Sequence, residues 1–174
     1  MGLPATMSLC IGAAVLWMAV AVLFGYLSAV RAGRFTDRTL TVLALIGISM
    51  PVFWLAAILL YFFSFKVELF PTGSYVAFSK DPLEWAYHLV LPWITLAVLY
   101  VGFYSRLLRS NMLDVMNEDY VRTARAKGLS ERQIRVKHVL RNSMIPVITL
   151  FGLDFGMVVG GGAILTETVF NLNG

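Results

Sequence analysis

Four long stretches of this chain are almost free of charge, and that restricts the folds open to it. Met1–Val30, Thr39–Phe65 and Trp85–Ser105 contain no Asp, Glu, Lys or Arg, and Asn142–Thr166 contains only Asp154. A helix crossing the hydrocarbon core of a bilayer needs roughly 20 apolar residues, because lipid offers the backbone no hydrogen-bond partner outside the helix. Each run meets that length. A soluble domain carries about a quarter charged residues, whereas this chain carries 14% and is 59% hydrophobic. The expected fold is an all-α polytopic membrane protein with about four transmembrane helices. A secretory signal peptide does not account for the first run, which is too long and is followed by further spans. The lone Cys10 lies inside that run and reads as a small buried apolar residue.

The basic residues give an orientation. Arg31, Arg34 and Arg38 follow the first run. Arg106, Arg109, Arg122, Arg125, Lys127, Arg132, Arg135, Lys137 and Arg141 fall between the third and fourth. Only Lys66 and Lys80 fall between the second and third. The positive-inside rule makes the side rich in Lys and Arg cytoplasmic.

Local signals set the expected boundaries. The first span runs from about Ser8 to Val30. The second starts at "FTDRTL", where Thr36 or Asp37 suits a helix N-cap, and reaches about Phe63 with a kink at Pro51. Pro51 reads either as packing geometry or as part of a transport pathway. "DPLE", Asp81 to Glu84, reads as a capping box with Pro82 at the first helical position. His88, beside Trp85 and Tyr87, reads as an interfacial residue rather than a metal ligand. In the fourth span Gly152, Gly156 and Gly160 recur on one helix face, which predicts close packing against other helices, including those of a second subunit. Asp154 is a costly charge near the middle of that span, so it is expected to face a pathway, a partner subunit or a polar helix contact. Glu167 sits near the outer end, where solvation is easier.

The block "EDYVRTARAKGLSERQIRVKHVLRNSMIP", Glu118 to Pro146, is unlike its apolar surroundings. Asn117 is a candidate cap for a helix running to about Lys127, and Gly128 suits the left-handed residue that ends helices. Ser130 and Gln133 form a capping box, with Leu129 and Ile134 placed as a hydrophobic staple. Val136, Val139, Leu140, Ser143 and Met144 follow the stripe of a second helix that continues into the fourth span. Charge alone fits a loop on anionic headgroups or, less well, a nucleic-acid contact, for which stacking aromatics are missing apart from Tyr120. A Gly stop, a capping box and a staple within seven residues favour a shaped element that docks on a protein.

The same block resembles the coupling loop, or EAA motif, of permease subunits of ABC importers. That family places an acidic residue and two alanines six, five and four positions before an invariant Gly, with prolines beyond. Set on Gly128, those positions are Arg122, Thr123 and Ala124, and the downstream proline is Pro146. Arg122 replaces the acidic residue and Arg141 stands where the first proline would be; both departures resemble the peptide and nickel importer branch. "SMPVFW", "LFPTGSY", "HLVLPWITLA" and "ETVFN" resemble that branch too.

The resemblance implies one permease domain over residues 1–174, with a cytoplasmic coupling loop over 110–142. It places the ATPase-docking residues at Glu118, Asp119, Tyr120, Arg122, Thr123, Ala124, Arg125, Ala126, Lys127, Gly128, Leu129 and Ser130. Pro51, Asp154, Gly152, Gly156 and Gly160 are candidates for the pathway or a subunit interface. The implied partners are a second homologous permease, cytoplasmic ATP-binding subunits, an extracytoplasmic substrate-binding protein and the lipid bilayer of a prokaryotic inner membrane. No nucleic acid, cofactor, metal or catalytic residue is implied, and no phosphate-binding G-x-x-x-x-G-K-[ST] motif occurs. The implied cargo is a di- or oligopeptide, with nickel or another small solute as alternative. A membrane-bound scaffold recruiting a partner through its basic loop is the rival from a different class. Family members usually carry one helix before the first span and one after "ETVFN", so the resemblance implies a chain lacking both.

Overall fold

The computed structural model describes residues 3–172, which are helical with irregular connections and contain no strand among the described residues. Helix α1 (Leu3–Val30) and helix α4 (Pro82–Val115) form the central pair. Asp81 caps α4 by accepting from the Leu83 and Glu84 amides at 2.9 and 3.2 Å, with Pro82 at the first helical position. This is half of the box read from "DPLE": the Glu84 carboxylate does not return to the Asp81 amide but lies 3.6 Å from His88 Nε2.

Small residues set the spacing of the pair. A Cβ on Gly12 would lie 2.1 Å from the Trp93 indole, and one on Gly25 would lie 2.8 Å from the Ser105 carbonyl. Helix α2 (Phe35–Ser49) packs on α4 in the same way. There Gly47 meets Val98, and Gly102 faces the Ala44 carbonyl at 2.5 Å from its would-be Cβ. In lipid, helices gain little by burying apolar side chains, so such close backbone approach supplies much of the attraction. Trp17 of α1 is fully buried; it stacks on Tyr100 at 4.4 Å and meets Phe151 edge-on at 5.7 Å.

The second span departs from expectation. It is not one kinked helix: α2 ends at Ser49, and helix α3 (Val52–Leu59), continued by a π-helical stretch Leu60–Lys66, leaves at a 101° bend. Proline has no N–H to donate and disfavours the helical region in the residue before it. Met50 is accordingly extended (φ −87°, ψ 125°), and Pro51 starts α3 instead of bending a continuous helix. Three helical stretches among the described residues are long and apolar enough to cross a membrane, Pro4–Val30, Pro82–Val115 and Glu131–Gly161; the bent pair Phe35–Ser49 and Val52–Lys66 reaches that length only when taken together, as a broken span or a re-entrant loop. Asp37 does not cap α2 as expected. Arg34 holds the N-cap position without a side-chain bond, and the Asp37 carboxylate is used elsewhere.

Beyond the loop after α4 come helix α5 (Asp119–Ala126), the short α6 (Glu131–Gln133), a π-helical stretch Ile134–Leu140 and helix α7 (Arg141–Met157). A second π-helical stretch, Val158–Gly162, breaks at Gly161 (φ 149°) before helix α8 (Ile164–Val169). Helix α7 is peripheral: 11% of the most apolar window of Glu131–Gly161 is buried in the chain, against 33% for α1 and 39% for α4. Gly152, Gly156 and Gly160 therefore do not pack closely within this chain; a Cβ on any of them would meet nothing within 4 Å.

The segment between α3 and α4 closes one end of the bundle. Tyr75 Oη meets Ser8 Oγ at 3.1 Å, and Trp93 Nε1 donates to the Ser8 carbonyl at 3.0 Å. His88 sets Nδ1 3.1 Å from the carbonyls of both Gly73 and Ser74. Two carbonyl neighbours require that nitrogen to donate, so His88 staples this loop, consistent with its interfacial reading.

Candidate functional site

Local chemistry shapes the basic loop. Helix α5 is eight residues long, with Val121 fully buried and Ala124 only 6% exposed. Both sit against the chain itself, so Ala124 is an inward anchor and not part of an outward contact surface. Asp119, Arg122, Thr123 and Ala126 remain exposed. Asn117 does not cap α5: its Nδ2 donates backward to the Leu113 carbonyl at 3.0 Å, and Glu118 occupies the N-cap position.

The C-terminal end of α5 agrees with the sequence reading. Gly128 has φ 77°; its amide donates to the Arg125 carbonyl at 2.9 Å, and the Leu129 amide donates to the Ala124 carbonyl at 3.3 Å. These two bonds are the pair that defines a Schellman stop. Ser130 then accepts from the Gln133 amide, and the Gln133 side chain accepts from the Ser130 amide at 3.2 Å, completing the capping box. Ile134 after the cap is fully buried, while Leu129 is 38% exposed.

The loop is braced onto the following helix. Arg125 Nε donates to Glu131 Oε1 at 2.9 Å, Arg135 Nε lies 3.7 Å from Glu131 Oε2, and Asn142 Nδ2 donates to Tyr120 Oη at 2.7 Å. The exposed Arg125–Glu131 pair adds little stability alone, but with the Tyr120 bond it fixes where α5 sits relative to α6 and the start of α7. The expected stripe shifts in this stretch. Val136 is 45% exposed, and the buried positions are Ile134, Val139, Ser143 and Val147. A π turn takes an extra residue per hydrogen-bonded ring and rotates the faces that follow. α5, α6 and α7 therefore form one folded bracket presenting the outward side of α5.

Two polar contacts between helices were not evident from the sequence. Asp37 Oδ1 and Oδ2 accept a bidentate pair from Arg109 Nε and Nη2 at 2.7 and 2.8 Å. Asp37 also accepts from the Gly33 amide at 2.8 Å and from Ser28 Oγ. One carboxylate, 4% exposed, thus ties the turn between α1 and α2 to the end of α4 that leads into α5. It also sets the Arg31–Arg38 turn at the same end of the bundle as the basic loop.

The second contact lies between α4 and α7, where Tyr104 Oη donates to Asp154 Oδ2 at 2.6 Å. Tyr104 is fully buried, whereas Asp154 is half-buried and opens onto a cavity of about 270 Å³. Pro51 lines a separate apolar hollow with Trp54 and Phe53. Glu167, read as an easily solvated outer residue, keeps Oε1 buried without a hydrogen-bond partner among the described residues.

The sequence falls within a described family. Residues 21–174 match the model of the binding-protein-dependent transport system inner membrane component. A probable peptide ABC transporter permease protein of Sinorhizobium fredii is 42% identical over 172 residues, covering 99% of this chain and 55% of that protein. A putative peptide transport system permease protein of Brucella abortus is 38% identical over 172 residues, covering 99% and 54%. An oligopeptide transport system permease protein of Bacillus subtilis is 38% identical over 174 residues, covering 99% and 55%. The chain spans about half the length of the curated relatives it matches. With its apolar helices, bent helix pair and bracketed basic loop, this multi-pass membrane chain belongs to the family of binding-protein-dependent transport system inner membrane components.

Proposed function

We propose that the chain lines half of the translocation pathway of an ATP-driven peptide importer. A second homologous permease lines the other half, and an extracytoplasmic binding protein delivers the cargo. In this reading residues 1–174 form one permease domain. Residues 110–142 are its coupling loop, and the end of the bundle that holds Arg31–Arg38 and that loop faces the cytoplasm. Separate ATP-binding subunits hydrolyse ATP and dock on the outward side of α5 through Asp119, Tyr120, Arg122, Thr123 and Ala126. Glu118, Arg125, Lys127, Gly128, Leu129 and Ser130 hold that surface in place. Peptide is preferred to nickel because the relatives are named for peptide transport.

The observation that carries the reading is the bracket itself. Val121 and Ala124 anchor α5, the Gly128 stop and the Ser130 capping box fix its end, the Arg125–Glu131 pair ties it to α6, and the Tyr120–Asn142 bond ties it to α7. A segment needed only for its charge has no use for that rigidity. A rigid outward helix joined to a membrane helix is what transmission of a subunit movement requires.

The test uses the assembled transporter. Gly128→Val forces a β-branched residue into a left-handed conformation, at about 1–3 kcal/mol of strain, and re-aims α5. Ala126→Arg instead adds bulk to the outward side without touching the anchor. Both variants should insert in the membrane and pair with the second permease, yet lose ATPase capture and substrate-stimulated ATP hydrolysis. Normal capture and normal stimulation in both would return the loop to a basic membrane-surface segment.

A further inference from the structure

The geometry points to an ammonium-binding site at Asp154, formed between α4, α7 and the end of α2, that receives the α-ammonium group of a peptide in transit. The cavity of about 270 Å³ is lined by Ile48, Leu99, Tyr100, Phe103 and Asp154. All of its lining except Asp154 and the Tyr100 hydroxyl is hydrocarbon or aromatic ring. Asp154 is held from behind by Tyr104, which is fully buried and donates to Oδ2 at 2.6 Å. Oδ1 has no hydrogen-bond partner, and no Lys, Arg or His lies within ion-pair distance of Asp154, among the described residues.

A carboxylate within a membrane helix is expensive unless it faces water or meets a cation. The buried carboxylate of Asp37 shows the contrast: a bidentate Arg109 and two further donors fully engage it. Asp154 has one fixed donor and one open oxygen. An anionic oxygen in a largely apolar, aromatic-lined cavity favours a compact cation over a neutral guest, and a ring face within reach adds to that attraction through its quadrupole. Tyr100 and Phe103 stand at the cavity wall, and both contact Tyr104, with ring centroids 6.4 and 5.4 Å away. A water molecule takes about 30 Å³ of liquid volume, so the cavity holds an ammonium head with the first residue of a peptide behind it. The open Oδ1 would accept from the ammonium while Tyr104 keeps the carboxylate aimed.

That the ammonium belongs to a peptide rests on the function proposed above; the site itself does not, so its test needs neither ATP nor transport. In the full-length membrane complex, with Cys10→Ala as background, Leu99→Cys places a thiol on the cavity wall. Its rate of modification by a small maleimide is measured with and without phenethylammonium or its neutral counterpart 2-phenylethanol. Phenethylammonium should slow labelling by about fivefold at a few times its Kd, whereas 2-phenylethanol should leave it unchanged. Asp154→Asn, which keeps an acceptor for Tyr104, should abolish the protection without altering the unprotected rate or the elution of the complex. Asp154→Glu should retain part of it. Equal protection by both compounds, protection that survives in Asp154→Asn, or no protection by phenethylammonium would each overturn the site.

Three further ligands identify the source of the ammonium. Alanyl-alaninamide should protect, and its N-acetyl form should not. Protection by Nα-acetyl-lysinamide but not by alanyl-alaninamide would overturn the α-ammonium assignment. If the site protects as described but the complex transports no peptide, the function proposed above fails and the site stands.

Discussion

The pair between Asp37 and Arg109 gives the sharpest energetic prediction, because its two halves are buried unequally. The Asp37 side chain is 5% exposed and that of Arg109 is 31% exposed. Arg109→Met removes the bidentate donor and leaves a carboxylate with only the Gly33 amide and Ser28 hydroxyl. Breaking a buried pair in this way costs about 3–5 kcal/mol. Water reaching the site through the exposed flank of Arg109 lowers the expectation to about 2–4 kcal/mol. Asp37→Asn should cost less, about 1–2 kcal/mol, since its amide oxygen still accepts and the orphaned guanidinium can turn toward solvent. The double variant should recover part of the loss, with a coupling of about 1–3 kcal/mol. The assay is thermal unfolding of the purified full-length protein in detergent, followed by loss of the monodisperse elution peak. For a domain of this size a kilocalorie shifts the midpoint by about 2–4 °C, so Arg109→Met should lower it by about 4–16 °C and Asp37→Asn by roughly half as much. Equal losses from the two single variants, or strictly additive losses in the double, would refute the buried clamp.

Gly12→Ala should lower the midpoint measurably and Gly12→Leu should prevent assembly, because the added Cβ falls 2.1 Å from the Trp93 ring; the checks are detergent Tm and membrane insertion. Single cysteines at Ser130 and Ser79, both exposed, should label from opposite faces in a Cys10→Ala background. Labelling of position 130 from outside intact cells would reverse the orientation and remove the docking role with it.

What could be read in the sequence was what neighbouring residues decide among themselves. The Asp81 cap, the Gly128 stop and the Ser130–Gln133 box each involve partners within a few residues, so spacing alone identifies them. Uncharged length located the spans, since the bilayer imposes that constraint on each helix separately. Partners joined across the fold were not legible. Asp37 and Arg109 lie 72 positions apart, and Tyr104 and Asp154 lie 50 apart. Thr36 and Asp37 both suit a cap by sequence, because a hydroxyl or carboxylate near a helix start usually is one. The glycines divide for a related reason: the periodic set at 152, 156 and 160 is open within this chain, while the scattered Gly12, Gly25, Gly47 and Gly102 make its close contacts. Periodicity shows that one face is smooth, not what lies against it. Pro51 and the π stretch after Gln133 changed direction and phase beyond what a 3.6-residue period anticipates.

The helical course from Glu131 to Gly161, two π-helical stretches included, has a mechanical consequence. Its 31 residues span about 46 Å at 1.5 Å per residue, half as long again as the roughly 30 Å hydrocarbon layer. Such a rod works as a lever. Pivoted at its basic end, a rotation of about 10° carries the Gly161 end through roughly 8 Å over that length. Pivoted at its middle, it swings both ends by about 4 Å in opposite directions. To swing, it must release the Tyr104–Asp154 bond and the Trp17–Phe151 contact that hold it to α4 and α1. At Gly161 (φ 149°) the backbone leaves the helical region, so α8 follows in a separate helix rather than lengthening the rod.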